Sequence, residues 1–432
     1  LYGHAMIQKL PTGGFEWYDS KVISQLNREF MSNKNAYNSW INSLDIMNEF
    51  GYFVECDLHY PKELHDIHNS YPLAVESKSI NKSELSPYQL NQLERHHEKH
   101  NESMKKLIPN FNDKERYVCH IRNLKYYIEK GLVITNIHRV LKFDQSDWLA
   151  KYINFNTDQR AKSKNDFEKD FFKLMNNAVF GKTMENMRNR VKIDLVTDEK
   201  TYLKMVAKPQ FEDKKVYGEN LVAVKMLPKV VKLNKPIYVG LSVLDLSKLH
   251  MYEFHYDYIV PKYGDKQQLL FTDTDSLCYH IQTDDVYKDM KIDSHLFDMA
   301  GYHMEGYRSC DKTNNKVIGK FTEGVPIVEF CGLRSKMYSI QLENDKEKKT
   351  GKGIKKSALK KKISHEDYKR CLFGSDDNDQ RQLVSFNNMR SVNHKIFGYQ
   401  FTRIGLSCSN DKQYLLDDGI SSFSYGHYRI TK

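Results

Sequence analysis

The stretch Leu269-Leu270-Phe271-Thr272-Asp273-Thr274-Asp275-Ser276-Leu277-Cys278-Tyr279-His280-Ile281 sets two carboxylates, one residue apart, between two apolar, β-prone runs. It reads as a hairpin with Asp273 and Asp275 at its tight turn. Carboxylates this close repel unless one is protonated or a cation lies between them. A hard divalent ion resolves that conflict, and Mg²⁺ takes one or two carboxylates together with substrate phosphates. Such a pair suits two-metal phosphoryl transfer. The Asp-x-Asp pattern alone also occurs in sugar transferases that hold a metal–nucleotide, and in ordinary Asx turns.

Roughly a hundred residues upstream, a helical pattern runs from Asn165 to Arg190. Its spacing puts Lys169, Lys173, Asn177 and Phe180 on one face, with Gly181 following. Phe167, Phe171, Leu174 and Ala178 are expected to pack inward. A lysine face without acids to pair it suits a polyphosphate, where charge-assisted hydrogen bonds are strong. A solvated lysine face has the same spacing. Gly181-Lys182-Thr183 imitates the end of a phosphate-binding loop, but Asn176 stands where that loop needs its first glycine. His97, Glu98 and His100 imitate a zinc-protease motif, but the second histidine would have to be at Asn101. His59, His65 and His68 have the residue type for a metal site but read first as surface or packing histidines.

Composition frames these motifs. The 432 residues allow about two or three domains of roughly 150 residues each. An apolar fraction of 40% and abundant tyrosine can build real cores and exclude a disordered chain. The net charge of +10 favours nucleic acid or another anionic surface as partner. Seven cysteines stand singly, at 56, 119, 278, 310, 331, 371 and 408, with no C-x-x-C pair. That excludes a disulfide framework or zinc ribbon and fits a reducing, intracellular compartment, the nucleus among them. No apolar run reaches membrane-span length and no signal peptide is visible, so no membrane partner is expected.

Further organisation follows from periodicity and breakers. Leu1 to Asp19 carries turn signals at Pro11, Gly13 and Gly14. A helix is expected over Ser20 to Phe50, and a strand over Gly51 to Tyr60, stopped by Pro61. Residues 75–115 are polar and read as an exposed insertion or linker. Tyr117 to Gly131 reads as a helix with Gly131 at its end, and Val133 to Phe143 as a strand. Residues 191–239 suggest short strands and loops. Leu241 to Tyr258 suggests a helix ending before Pro261. Beyond Lys320 the chain is mixed, with a dense lysine run from Lys346 to Lys362.

The two motifs, in this order, resemble family B DNA polymerases. Lys173-Leu174-Met175-Asn176-Asn177-Ala178-Val179-Phe180-Gly181 is similar to that family's fingers motif, Lys-x-x-x-Asn-Ser-x-Tyr-Gly. Thr272-Asp273-Thr274-Asp275-Ser276 is similar to the palm motif Tyr-Gly-Asp-Thr-Asp-Ser. Lys336-Met337-Tyr338 resembles the Lys-x-Tyr motif that grips the primer end, and Leu1-Tyr2-Gly3 the tail of the first palm motif. The text around them resembles polymerases of Polinton/Maverick transposons and related viruses, which start synthesis on a terminal protein. Leu10-Pro11-Thr12-Gly13-Gly14-Phe15-Glu16-Trp17, Tyr71-Pro72-Leu73, Phe254-His255-Tyr256-Asp257-Tyr258, His365-Glu366-Asp367-Tyr368 and Asp417-Asp418-Gly419-Ile420-Ser421 carry that likeness. Phe180 stands where the family has Tyr, so a hydroxyl contact is lost while stacking remains. Thr272 stands where Gly is common.

The resemblance implies an α+β right-hand polymerase fold. Palm would span 1–150, with an inserted polar segment near 75–115 that touches the priming protein, and 196–323. Fingers would span 151–195 and thumb 324–432. It implies Asp275 as a direct metal ligand and Asp273 as a weaker one, with two Mg²⁺ ions, or Mn²⁺ in their place. Lys173, helped by Lys169, would hold the incoming dNTP, and Asn177, Phe180 and Gly181 would shape its pocket. Tyr2 would lie under the sugar and exclude a 2′-hydroxyl. Lys336 and Tyr338 would hold the primer strand, and Lys355 and Lys356 in the lysine run would contact phosphates of the primer–template without reading bases. The first palm aspartate and a 3′–5′ exonuclease region would precede Leu1, so this chain reads as an N-terminally truncated fragment, inactive by itself if that aspartate is missing. The expected function is template-directed DNA synthesis by nucleotidyl transfer, in protein-primed replication of a mobile element or virus. Two alternatives stay open: a catalytically incomplete DNA-binding remnant of such an element, and a metal-dependent sugar transferase.

Overall fold

Six consecutive buried residues, Gly51 to Cys56, mark a strand covered on both faces. In the computed structural model, which describes residues 1–301, 313–323, 326–374, 376–393 and 395–431, that strand is Phe50–His59. It lies inside a four-stranded antiparallel sheet ordered Leu10–Trp17, Val133–Ser146, Phe50–His59, Lys114–His120. Val54 sits opposite Val140 on one side and Cys119 on the other, so the register puts apolar side chains together. The helices Ile121–Glu129 and Ile237–Glu253 join the same core through Leu124, Tyr127, Val243, Leu246 and Leu249. Each such side chain, fully buried, contributes about 1.5–3 kcal/mol of transfer free energy. The buried Asp245 fastens helix to sheet: its carboxylate accepts from His120 N–H at 2.8 Å, and its carbonyl accepts from Asn123 at 2.8 Å.

The helix carrying Asp245 does not stop before Pro261. It continues through a π-helical segment, Phe254–Ile259, into Val260–Tyr263, and ends at Gly264 with φ +52°. Pro261 lies in the last turn, just beyond the π-helical segment. Other expectations are corrected in the same way, by local chemistry. The stretch 20–50 is two helices, Ser20–Ser32 and Ala36–Ser43. The Asn33 side chain accepts from Asn35 N–H at 3.0 Å and ends the first one in an extended conformation. Tyr117 belongs to the strand Lys114–His120, and only Ile121–Glu129 is helical, with Gly131 beyond its end at φ +100°. Gly13 and Gly14 make a bulge inside the strand Leu10–Trp17, not a turn. At Gly14, φ is +61° and a Cβ would strike Asp144.

Residues 75–115 are a folded unit and not a linker. The strands Glu76–Lys78 and Lys106–Ile108 pair, the helix Pro87–Arg95 carries a Ser86–Gln89 capping box, and Ile80, Leu85 and Ile108 share a core with Tyr425. Residues 192–226 form a three-stranded antiparallel sheet with the helix Glu199–Val206, over a core of Val196, Val224 and Met226. Beyond residue 326, the strands Ile327–Arg334, Met337–Leu342 and Glu347–Gly351 form a sheet, and the strands Arg381–Val392 and Lys395–Ser407 form a long hairpin. All named strands pair antiparallel, and the mixed content is α+β. Among the described residues, no helix is long and apolar enough to cross a membrane. Cys310 lies outside the described residues; the other six cysteines are buried as free thiols.

Candidate active site

The acidic hairpin forms as its sequence requires: Gln267–Thr272 pairs with Leu277–Ile281, and the turn between them carries both carboxylates. Asp273 N–H donates to Ser276 O at 3.0 Å, and Asp275 N–H to Asp273 O at 2.7 Å. Thr274 takes φ +62°, a left-handed conformation that costs a β-branched residue energy and is worth holding only where the turn's direction matters. Asp275 is exposed and Asp273 half-buried.

Two other segments converge on this turn. From the following sheet, Lys336 forms an ion pair with Asp273, and Tyr338 stacks on Phe271 with ring centroids 4.4 Å apart. Lys336 itself sits at φ +58°, held by Lys352 N–H donating to its carbonyl at 3.1 Å. From the other end of the chain, Tyr2 stacks on Phe180 with centroids 4.3 Å apart. Burial first, then the charge of Asp275, raises the Tyr2 phenol above its ordinary pKa. Asp275, Lys173 and Arg160 all lie within electrostatic reach of Leu1. Asp275, Tyr2, Lys173 and Arg160 therefore share one electrostatic neighbourhood.

The helix Asp166–Thr183 brings Lys173 there, but it is turned differently from its expected facing. Phe167 is 80% and Leu174 58% exposed, and Phe171 and Ala178 are exposed as well. Lys169, Phe172, Met175, Asn176, Val179 and Phe180 are the half-buried side chains. Asn176 donates to Thr157 Oγ1 at 3.3 Å, docking this helix on Ala150–Lys162. The lysines are not both free of acids either: Lys169 pairs with Asp166 at 3.0 Å, one turn away. Lys173 has no acidic partner among the described residues. Asn177 is exposed, and a side chain at Gly181 would meet open space. Lys355 and Lys356 stand at the start of the helix Lys356–Lys362, and Lys355 donates to Asn387 O at 3.0 Å on the long hairpin.

Sequence reasoning missed Arg160, a cation one helix ahead of the lysines, and Phe271 with Phe330, which seat Tyr338. The aromatic residue just before the acidic turn was the only sign of the latter. The three histidines do pack: His65 stacks on Phe111 with centroids 4.3 Å apart, His68 bonds Tyr60 Oη at 2.7 Å, and the more exposed His59 pairs with Asp113 at 2.8 Å. A half-open pocket of about 280 Å³ lies beside Asp275 and Ser276, lined by Met251, Phe254, Tyr258 and Phe297.

As a metal site the turn offers the right donors. Two carboxylates of an exposed turn supply hard oxygen ligands, and the Lys336 ammonium offsets the charge of Asp273. No group of three or more His, Cys, Asp or Glu side chains converges among the described residues.

No family model matches the sequence, and no curated protein matches it. Solved structures do. Phi29 DNA polymerase in a ternary complex with primer-template DNA and incoming nucleotide substrates superposes with a TM-score of 0.54 at 14% identity, covering 94% of this chain and 56% of that one. The same polymerase bound to primer-template DNA alone gives 0.49 at 14% identity, over 93% and 56%. The chain spans a little over half the length of the polymerase it matches. Over nearly its whole length, then, this chain is similar in fold to a DNA polymerase.

Proposed function

We propose that this chain is the polymerising part of a family B DNA polymerase of the protein-primed kind, acting on a primer–template with dNTPs. One observation carries the reading. Segments near residues 2, 173–180, 273–275 and 336–338, remote in sequence, meet around one acidic turn in a fold similar to that of a DNA polymerase. In this reading the sheet with the acidic hairpin is the palm (1–150 and 196–323), the helices of 151–195 are the fingers, and 324–432 is the thumb.

Asp275, with Asp273 as the weaker ligand, would hold Mg²⁺, which when bound neutralises charge on attacking and leaving oxygens. The chain's own groups do the rest. Lys173 and Arg160 hold the triphosphate by charge-assisted bonds. Lys169 contributes once it leaves Asp166. The Tyr2–Phe180 stack makes a flat floor beneath the sugar and leaves no room for a 2′-hydroxyl. Tyr338, fixed on Phe271, sets the primer terminus, and Lys336 steadies Asp273 before nucleotide arrives. Primer 3′-hydroxyl would then attack the α-phosphate with pyrophosphate leaving. The mobile-element setting and the priming protein are part of the proposal. They rest on the Polinton-like segments, and the folded unit at 75–115 is the surface offered to that protein.

A photoreactive dATP analogue tests this. The expected result is labelling within residues 1–6 and 166–183, competed by dNTP. Labelling competed equally by a nucleotide-sugar, or confined to other segments, overturns the reading in favour of a sugar transferase or a remnant without a nucleotide site.

A further inference from the structure

A loop near the far end of the chain, residues 409–413, is held by side chains from three other segments. Gln89 Nε2, on the helix Pro87–Arg95, donates to Asn410 O at 2.6 Å and to Gln413 O at 2.8 Å. Tyr425 Oη donates to Asp411 O at 3.2 Å, and Arg334 Nη1 reaches Ser409 O at 3.5 Å. Lys106 forms an ion pair with the Asp411 carboxylate. Within the loop, Lys412 N–H donates to Asn410 Oδ1 at 3.2 Å.

So fixed, the loop adds Lys412 to three other ammoniums. Lys106 stands beside it, on Asp411. Lys336 and Lys352 stand together, because Lys352 N–H donates to Lys336 O at 3.1 Å. Arg334, two residues before Lys336, ties that corner of the sheet to the loop. All three lysines lie within electrostatic reach of Lys412. Two carboxylates accompany the four cations, and both are taken, Asp411 by Lys106 and Asp273 by Lys336. The ammoniums of Lys412, half-buried, and of Lys352, exposed, form no hydrogen bond or ion pair among the described residues. Burial first, then Lys106 and Lys352, hold Lys412 below its ordinary pKa, and Asp411 opposes that shift. Gathered, partly desolvated cations are costly unless an anion lies between them.

We propose, on the polymerase reading above, that Lys412 with Lys106, Lys352 and Lys336 binds a phosphodiester of the primer strand, behind the terminus that Tyr338 sets. The neighbours favour the primer over the incoming nucleotide. Lys352 directly follows the strand Glu347–Gly351, which pairs with Met337–Leu342, the strand of Tyr338. A phosphodiester accepts charge-assisted bonds from several ammoniums at once and positions the strand without reading its bases. Because Lys106 and Gln89 belong to the folded unit at 75–115, that unit takes part in holding the primer through the loop it supports.

The test measures primer–template affinity of the full-length gene product by fluorescence anisotropy. Single methylphosphonate linkages, each removing one phosphate charge, are placed along primer or template. Lys412→Gln should bind about tenfold more weakly. Its slope of log affinity against log salt should be smaller by about 0.9. It should also be indifferent to one primer linkage whose charge matters to the unmutated protein. Lys412→Arg should restore both affinity and that sensitivity. Asp411→Asn, which removes a negative charge from the cluster, should bind more tightly. Unchanged affinity in Lys412→Gln overturns the proposal and leaves the polymerase reading standing. So does weaker binding that keeps every sensitivity, or that loses one only on the template. If Lys412→Gln does not fold, Asp411→Asn decides, and no gain in affinity overturns the proposal. An unmutated protein that binds no primer–template overturns both.

Discussion

Two antiparallel regions of this molecule are built by opposite means. In the sheet around Phe50–His59, nearly every residue of the central strand is buried, and helices close over it. In the hairpin of Arg381–Val392 and Lys395–Ser407, apolar burial is confined to the base, at Val384, Phe386 and Leu406; Met389 and Ile396, nearer the tip, are each 75% exposed. The first region is held by packing on both faces of its central strand. The second is held by its ladder and by lysine ammoniums from the adjoining helix segment, Lys355 on Asn387 O and Lys362 on Ser385 O. Apolar burial thus makes the first region the more rigid of the two. The hairpin keeps its surface uncovered, which in the proposed function is where duplex would lie.

That contrast can be broken by experiment. Leu58→Ala, in the central strand, should cost about 2–5 kcal/mol in chemical denaturation. A loss near zero would mean the sheet is not the core. Acid should act on the same region. Burial lowers His68 and His255 to about 4, and His120 to about 3. Because the folded state binds fewer protons than the unfolded one below the ordinary histidine pKa, stability is full above about pH 6.5 and falls as pH drops toward 4. Each group contributes on the order of 3 kcal/mol across that window. Denaturation midpoints that stay flat from neutral pH to about pH 5 would contradict this.

Outside the core the effects should be on ligands and not on folding. Lys173→Ala should weaken dNTP binding about ten- to a hundredfold, the worth of charge-assisted bonds at about 1.5–3 kcal/mol, with the thermal midpoint unmoved. Unchanged dNTP affinity would remove Lys173 from the site. Met389→Ala, near the hairpin tip, should change stability by less than about 0.5 kcal/mol; a larger loss would show that the tip is packed after all.

How much of this was legible in the sequence follows the same division. The acidic hairpin could be read because alternating apolar runs flank a polar turn, and both strands formed within two residues of expectation. The central strand could be read because Phe53, Cys56 and Leu58 follow Gly51 and Pro61 stops the run. The facing of Asp166–Thr183 could not: Phe167, Phe171 and Leu174 look like a core stripe, yet only the tertiary docking of Asn176 and Phe180 decides which side turns in. The fold of 75–115 was hidden because one of its core partners, Tyr425, comes from the far end of the chain. The pairing of Lys169 with Asp166 was visible at i,i+3 spacing and was passed over. Arg160 carries no motif, and its place near Asp275 and Lys173 comes from how two helices pack.

The central claim is that the turn at Asp273 and Asp275 is the site of nucleotidyl transfer. The direct measurement is primer extension and primer–template affinity, side by side, for the full-length gene product and its Asp275→Asn variant. The account expects extension to disappear while DNA affinity, carried by surface lysines and falling steeply with salt, stays within about twofold. Extension at the unmutated rate by Asp275→Asn would contradict it.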